Sequence, residues 1–290
     1  MKFEGLSERP LREVLNEATA ALKTAGLPTP RLDAEVLLSH ILGCERALLY
    51  REPDRRLSQK EEAVFLSLVA RRAAFEPVAY LTGEKEFMGL SLIVTPAVLI
   101  PRPETELLVE TTVMLIKGKS APVVADVGTG SGAVAVSIAV LVPAARVFAT
   151  DAAPEAVEVA KSNAAKYRVA DRVSFFVGDL LKPFGGRKAV FDLVAANLPY
   201  IPTREIARLA KDISFEPLRA LNGGPDGLQL YRRLVPQARR LLKPGGHMLW
   251  EIGHGQGSAA LRLLNPVIWE AEVKMDLAGL ERLVVARYRG

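Results

Sequence analysis

From residue 121 onward, the sequence alternates short apolar runs with longer helical ones, and this alternation limits the possible folds more than any other feature. Such alternation gives a parallel sheet with helices on both faces. The last two strand-like runs have no helix between them, so at least one should run antiparallel. Pro236 is expected to kink or divide the last predicted helix. The predicted strands cover residues 122–128, 146–151, 173–179, 191–197, 245–253, 267–276 and 281–288, and the predicted helices residues 131–142, 153–167 and 228–242. The sequence therefore predicts an α/β fold with a doubly wound, mostly parallel, seven-stranded sheet and an antiparallel C-terminal strand.

The first part of the chain carries a helical pattern instead. Apolar residues recur every three or four positions over residues 11–25. Ser58 and Glu61 have the spacing of a capping box ahead of a further helical run. Residues 78–100 lose this period, are rich in β-formers and contain Gly89 near their middle, which indicates a hairpin. We therefore expect a small helical domain over residues 1–77, a β-hairpin connector over 78–100 and an α/β domain over 101–290.

The composition narrows the class of protein. With 290 residues, 49% of them hydrophobic and 24% charged, the chain can bury a sizeable core. The longest apolar run, residues 133–142, is too short to span a bilayer, and residues 1–10 hold no apolar segment for a signal peptide, so we expect a cytoplasmic protein. The histidines lie far apart without ligand spacing, so no metal site is expected. The net charge of +5 permits a nucleic-acid partner and fits a solvated basic surface equally well.

Polar residues follow four successive predicted strands. The first strand leads into residues 126–132, Asp-Val-Gly-Thr-Gly-Ser-Gly, whose glycines let the backbone turn tightly against a ligand. Their spacing differs from the Gly-x-Gly-x-x-Gly of dinucleotide sites. Asp151 ends the second strand, where a carboxylate can accept both hydroxyls of a ribose. The third strand ends in Asp179 and Leu180, and the fourth ends in Asn197. Because open α/β sheets bind ligands at the carboxyl ends of their strands, we expect these residues to share one site.

This ordered series resembles the class I S-adenosylmethionine-dependent methyltransferases over roughly residues 121–290. The resemblance implies that S-adenosyl-L-methionine is the cofactor. It further implies that the glycine-rich loop holds the methionine portion, that Asp151 holds the ribose, that Asp179 and Leu180 meet the adenine, and that Asn197 also borders the cofactor. The loop residues implied are Asp126, Gly128, Thr129, Gly130, Ser131 and Gly132.

The stretch Asn197-Leu198-Pro199-Tyr200 resembles the Asn-Pro-Pro-Tyr motif of methyltransferases that modify planar, conjugated nitrogens. In that reading, the Asn197 side-chain oxygen and the Leu198 carbonyl accept the two hydrogens of the target nitrogen and aim its lone pair at the methyl group. Pro199 disfavours helical geometry at Leu198 and so helps to aim that carbonyl. Tyr200 offers a flat face to a planar substrate. The target is either the amide of a glutamine or the exocyclic amine of an adenine.

Four further segments resemble the release factor glutamine methyltransferases, the HemK/PrmC family, in which proline usually stands at the position of Leu198. The resemblance implies methyl transfer to the side-chain nitrogen N5 of the glutamine in the Gly-Gly-Gln motif of class I peptide chain release factors. It also implies a substrate-docking role for residues 1–77. We further expect a monomer whose chemistry requires no nucleic acid. The segments are residues 98–110, 215–228, 241–256 and 276–282.

Two other functions stay open at this point. An N6-adenine methyltransferase acting on RNA or DNA is the first alternative, because Asn-Leu-Pro-Tyr is a spelling familiar from enzymes that methylate adenine in ribosomal RNA. A non-catalytic protein that merely keeps the cofactor-binding fold is the second.

Overall fold

The computed structural model of the protein describes residues 8–290. The expectation that residues 1–10 lack a signal peptide falls mostly on residues 1–7, which lie outside this range. The chain divides into two compact units. One unit contains the residues up to Gly83 together with Ala210–Phe215, and the other contains Glu84–Leu209 together with Glu216–Gly290.

The first unit is helical. Its α-helices are α1 (Leu11–Thr24), α2 (Pro30–Leu42), α3 (Arg46–Arg51), α4 (Gln59–Ala73) and α5 (Val78–Thr82). The predicted capping box is present at the start of α4, where the Ser58 hydroxyl accepts from the Glu61 N–H and the Glu61 carboxylate accepts from the Ser58 N–H. The core of this unit includes Val14, Leu37 and Phe65, none of which is exposed.

The predicted hairpin is shorter than the sequence suggested. Strands β1 (Glu84–Phe87) and β2 (Leu90–Ile93) pair antiparallel around Met88 and Gly89, both of which have positive φ. Residues 78–82 form α5 instead, so the prediction of hairpin structure from residue 78 is wrong for this part. The single turn of helix buries Tyr80 and Leu81, and Gly83, with φ +75°, ends it.

The second unit is built on one seven-stranded sheet. Its strands are β3 (Val123–Val127), β4 (Arg146–Asp151), β5 (Val173–Val177), β6 (Phe191–Ala196), β7 (Leu242–Glu251), β8 (Trp269–Met275) and β9 (Glu281–Tyr288). The strand order is β5-β4-β3-β6-β7-β9-β8. β9 runs antiparallel to both β7 and β8, whereas the pairs from β5 to β7 are parallel. The predicted sheet and its antiparallel C-terminal strand are confirmed.

Helices cover both faces of this sheet, as the alternating burial of its strands shows. The helices of this unit are α6 (Glu106–Ile116), α7 (Ala133–Leu141), α8 (Pro154–Lys166), α9 (Leu218–Leu221), α10 (Gln229–Leu241) and α11 (Gly257–Leu261). Val124 packs in one apolar cluster with α6 and α7, and its neighbour Ala125 packs in another with α10 and α11.

Pro236 does not divide α10, contrary to one of the two outcomes expected for it. The helix runs without a break through Pro236, although a proline inside a helix removes one backbone hydrogen bond. Burial of an apolar stripe that includes Tyr231, Leu234 and Ala238 holds the helix on the sheet and offsets that loss. Within residues 8–290, we find no helix with both the length and the apolar character needed to cross a membrane.

Candidate active site

The polar strand ends predicted from the sequence meet at one edge of the sheet. β4, β3 and β6 are adjacent and parallel, so Asp151, the loop after Val127 and Asn197 emerge side by side. A cavity at this edge is lined by ten of the predicted residues, namely Gly128, Thr129, Gly130, Ser131, Asp151, Asp179, Leu180, Asn197, Leu198 and Pro199. Three predicted residues, Asp126, Gly132 and Tyr200, do not line this cavity.

The glycine-rich loop has a backbone conformation that residues with a side chain rarely adopt. Gly128, Gly130 and Gly132 have φ values of +77°, +54° and +80°. The N–H groups of Gly128 and Thr129 both donate to the Thr150 carbonyl, at 2.8 and 2.9 Å, which ties the loop to β4. A Cβ on Gly128 would lie 2.7 Å from Cδ2 of Leu198, so the loop passes directly against the Asn-Leu-Pro-Tyr segment.

Asp126 lies beneath this loop and is fully buried. The Thr129 hydroxyl donates to its Oδ2 at 2.6 Å, and the Ala135 N–H also donates to its carboxylate. Burial raises the pKa of Asp126 to about 7, since removal from water disfavours the charged form more than these two hydrogen bonds favour it. Asp126 therefore supports the loop from below.

The two acidic residues that line the cavity differ in their surroundings. Asp151 accepts from the Gly130 N–H through Oδ2 and from the Ala153 N–H through Oδ1, both at 2.9 Å, so its carboxylate is held in one orientation. Asp179 pairs instead with Lys182, at 2.7 Å, and with Arg233. The hydrogen bond from Lys182 and the nearby Arg233 charge lower the pKa of Asp179 below its ordinary value.

The Asn197 side chain is fixed by a chain of hydrogen bonds that crosses the site. Its Nδ2 donates to Thr105 Oγ1 at 2.9 Å, and the Thr105 hydroxyl donates to Glu251 Oε2 at 2.7 Å. The Tyr200 hydroxyl donates to the other carboxylate oxygen, Glu251 Oε1, at 3.1 Å. Burial raises the pKa values of Glu251 and Tyr200, whereas Arg282 lowers both through its charge.

The backbone of Leu198 is held by Tyr231, which also bonds to Glu251 at the end of β7. Its N–H donates to the Tyr231 hydroxyl at 3.0 Å, and that hydroxyl donates to the Glu251 carbonyl at 2.7 Å. The Leu198 carbonyl lies farther from the Tyr231 hydroxyl, at 3.2 Å. Since a hydroxyl has one proton and the nearer acceptor takes it, the Leu198 carbonyl keeps lone pairs for a ligand.

The sequence did not single out the residues that hold these groups. Thr105 and Glu251 lie within two of the segments that carried the family resemblance, residues 98–110 and 241–256, but nothing in either segment indicates that they bond to each other. A second link joins residues 98–110 to residues 215–228. Glu216, also buried, accepts from the Ile100 N–H at 3.0 Å and from the guanidinium of Arg102, which lines the cavity.

Within residues 8–290, no group of three or more His, Cys, Asp and Glu residues is arranged to hold a metal ion. The cavity is lined by hydrogen-bond acceptors, backbone donors and apolar residues, together with Arg102 and Arg219. Such acceptors can bind and orient an N–H group.

Two family models match this chain. A model described as the PrmC N-terminal domain matches residues 13–83, and a model described as a methyltransferase domain matches residues 119–267.

Curated relatives match over almost the whole chain. The release factor glutamine methyltransferase of Moorella thermoacetica is 44% identical over 281 residues, which cover 96% of this chain and 99% of the relative. The protein of the same name from Geobacter sulfurreducens is 39% identical over 288 residues, covering 97% and 99%. That from Bordetella pertussis is 44% identical over 256 residues, covering 88% and 93%.

Solved structures share the fold at low sequence identity. A crystal structure of the hMettl16 catalytic domain in complex with an RNA hairpin has a TM-score of 0.57 at 13% identity and covers 80% of this chain and 82% of that one. A methyltransferase from Pyrococcus furiosus has a TM-score of 0.50 at 18% identity, with coverage of 80% and 100%. These likenesses establish the fold.

Proposed function

Because the chain belongs to the release factor glutamine methyltransferase family, we propose that it methylates the side-chain nitrogen N5 of the glutamine in the Gly-Gly-Gln motif of class I peptide chain release factors. The methyl donor in this proposal is S-adenosyl-L-methionine. The observation that carries the proposal is the orientation of the Asn197 side chain, which lines the cavity and donates one amide hydrogen to the Thr105 hydroxyl oxygen. Its side-chain oxygen is thereby left to accept from a substrate N–H.

The residues at the sheet edge fit the proposed donor. The glycine-rich loop offers backbone that a ligand can approach closely, and the Asp151 carboxylate is oriented beside it, where it can accept from ribose hydroxyls. Leu180 supplies buried apolar surface after β5, and Asp179 borders the same part of the cavity, where the adenine would lie. When bound, the donor supplies a methyl group made electrophilic by its positively charged sulfur.

The two proposed acceptors, at Asn197 and Leu198, would compensate for the low nucleophilicity of the target nitrogen. An amide nitrogen is a poor nucleophile because its lone pair is delocalised into the carbonyl group. The Asn197 side-chain oxygen and the Leu198 carbonyl would accept its two hydrogens and aim the lone pair. As positive charge grows on the nitrogen, these fixed acceptors stabilise the transition state more than the ground state. After the transfer, the methylated amide nitrogen is strongly acidic and releases its surplus proton to water, and S-adenosylhomocysteine leaves as the other product. The step therefore needs no general base with a matched pKa.

In the proposal, the helical unit is the part of the enzyme that docks the release factor. A glutamine at the tip of a loop offers little surface for selection, so contacts elsewhere must supply affinity for the whole partner. The match of residues 13–83 to the PrmC N-terminal domain supports a docking role for this unit. We further propose that the enzyme acts as a monomer in the cytoplasm.

One experiment separates the candidate functions. The purified protein is incubated with methyl-labelled S-adenosylmethionine and one of three acceptors: a class I release factor, the same factor with its motif glutamine replaced by glutamate, or ribosomal RNA. We expect label only in the intact factor, and mass spectrometry should place it on the motif glutamine. Labelled RNA with an unlabelled factor would establish the adenine methyltransferase instead. Binding of the donor without any labelled acceptor would support a non-catalytic protein.

A further inference from the structure

We propose that Thr105 and Glu251 are positioning residues that fix the orientation of the Asn197 amide, so that its oxygen and not its NH₂ group faces the substrate nitrogen. The inference rests on the proposed function, because it concerns the acceptor that this reaction requires. An Asn side chain has nearly the same shape after a half turn about its last bond, but the turn exchanges an acceptor for two donors. An enzyme that accepts hydrogens from an amide must therefore prevent this turn.

The direction of the hydrogen bonds follows from Glu251. Its two carboxylate oxygens accept from two hydroxyls, those of Thr105 and Tyr200. The Thr105 hydroxyl donates its single proton to Glu251 Oε2 at 2.7 Å, so it has no second proton to donate to Asn197. The oxygen of Thr105 is then only an acceptor toward Asn197, and the side of the amide that meets it must be the NH₂ group. The Asn197 oxygen is turned to the opposite side.

Burial makes this arrangement rigid. Thr105 is 4% exposed and Glu251 is 1% exposed, so water does not compete freely for their hydrogen bonds. Burial raises the pKa of Glu251, while the hydrogen bonds from Thr105 and Tyr200 and the charge of Arg282, which is mostly buried and pairs with Asp276 at 3.2 Å, oppose this rise. The Glu251 carbonyl holds the second acceptor through Tyr231. The end of β7 thus anchors both groups that are to receive the substrate hydrogens.

Thr105→Val tests the inference, because valine keeps the shape of threonine and removes its hydroxyl. The maximal turnover on a release factor should fall about tenfold to hundredfold, the loss that is typical when a hydrogen-bond partner that orients a functional side chain is removed. The dissociation constant for S-adenosylmethionine should stay within about twofold, as measured by calorimetric titration. Thr105→Ser should restore most of the turnover. Thr112→Val, in α6, is the matched control, since Thr112 is buried and its hydroxyl has no hydrogen-bond partner among the described residues. The turnover of this variant should stay unchanged.

A double variant tests whether Thr105 acts through Asn197. If it does, Thr105→Val should cause no further loss of turnover once Asn197→Ala is present. If the double variant instead lost the product of the two single-variant factors in turnover, the inference would be overturned. It would also be overturned if the turnover of Thr105→Val stayed within about twofold of the parent.

An NMR measurement that does not depend on methyl transfer can test the positioning role separately from the proposed function. In ¹H–¹⁵N correlation spectra, the Asn197 side-chain NH₂ pair is assigned by its absence from Asn197→Ala. A hydrogen bond to Thr105 should shift one of its protons downfield, and Thr105→Val should abolish that shift. A parent protein that methylates no release factor would remove the proposed function. Unchanged Asn197 resonances in Thr105→Val would remove the positioning role.

Discussion

Asp126 should make the stability of the second unit depend on pH near neutrality. Its pKa is about 7 in the folded protein, against 3.8 for an ordinary aspartate. Between these values the folded state holds a proton that the unfolded state has released. The stabilisation that protonated Asp126 gives the folded state at acidic pH is therefore lost as the pH rises from about 4 through the folded pKa of about 7. Asp126→Asn should remove this loss, because an amide has no charge to bury and the Thr129 hydroxyl can donate or accept.

The size of the effect follows from the two pKa values. Their difference of about 3 corresponds to about 4 kcal/mol at 1.36 kcal/mol for each pKa unit. About 3 kcal/mol of this total falls between pH 5 and pH 8. Over that interval, the free energy of unfolding of Asp126→Asn should rise by this amount relative to the parent.

Urea titrations at pH 5, 6, 7 and 8 measure the difference. Both tryptophans of the chain, Trp250 and Trp269, lie in strands of the second unit, so their fluorescence reports its unfolding. All other titrating groups are shared by the two proteins and cancel in the comparison. Unfolding free energies that differ by the same amount at every pH would refute the argument, because they would mean that buried Asp126 ionises as easily as an exposed aspartate.

Three further results are expected. Asp151→Ala should weaken S-adenosylmethionine binding by about tenfold or more in a calorimetric titration, in line with the loss of a charged hydrogen-bond acceptor worth roughly 1–3 kcal/mol; an unchanged affinity would remove Asp151 from the site. Gly128→Ala should lower the melting temperature more than Gly130→Ala, since both glycines have positive φ but only a Cβ at Gly128 would meet Leu198, at 2.7 Å; equal melting temperatures would mean that Leu198 moves aside at no cost. Deletion of residues 1–75 should leave binding of the methyl donor intact and sharply reduce methylation of an intact release factor, with less effect on a short Gly-Gly-Gln peptide; equal losses on both substrates would contradict a docking role.

The sequence predicted the parts of the site that follow from local pattern. Strands of alternating βα type must be parallel, and parallel strands end at the same edge, so the convergence of Asp151 and Asn197 could be predicted without knowledge of the structure. The glycine-rich loop was predictable because its backbone requires residues without a side chain.

The support for Asn197 could not be predicted in the same way. Thr105 is 92 residues from Asn197 and 146 residues from Glu251 along the chain. Their contact depends on the placement of β6 next to β7 and on the start of α6 reaching the same edge, neither of which a local pattern encodes. The helix at residues 78–82 was missed for a related reason, since a single turn is too short to show a helical period.

The place of β9 in the sheet also sets the order in which this protein matures during synthesis. β8 is made before β9 but pairs with it, and β9 lies between β8 and β7. Until Glu281–Tyr288 has left the ribosome, one side of β7 presents unpaired backbone groups, which invite pairing with other chains. Glu251 lies opposite Leu283 of β9, so the residue that we propose to anchor the substrate acceptors gains this neighbour only when β9 pairs with β7. A nascent chain that stalls before β9 would therefore offer chaperones an open sheet edge and would lack part of the support for the proposed site.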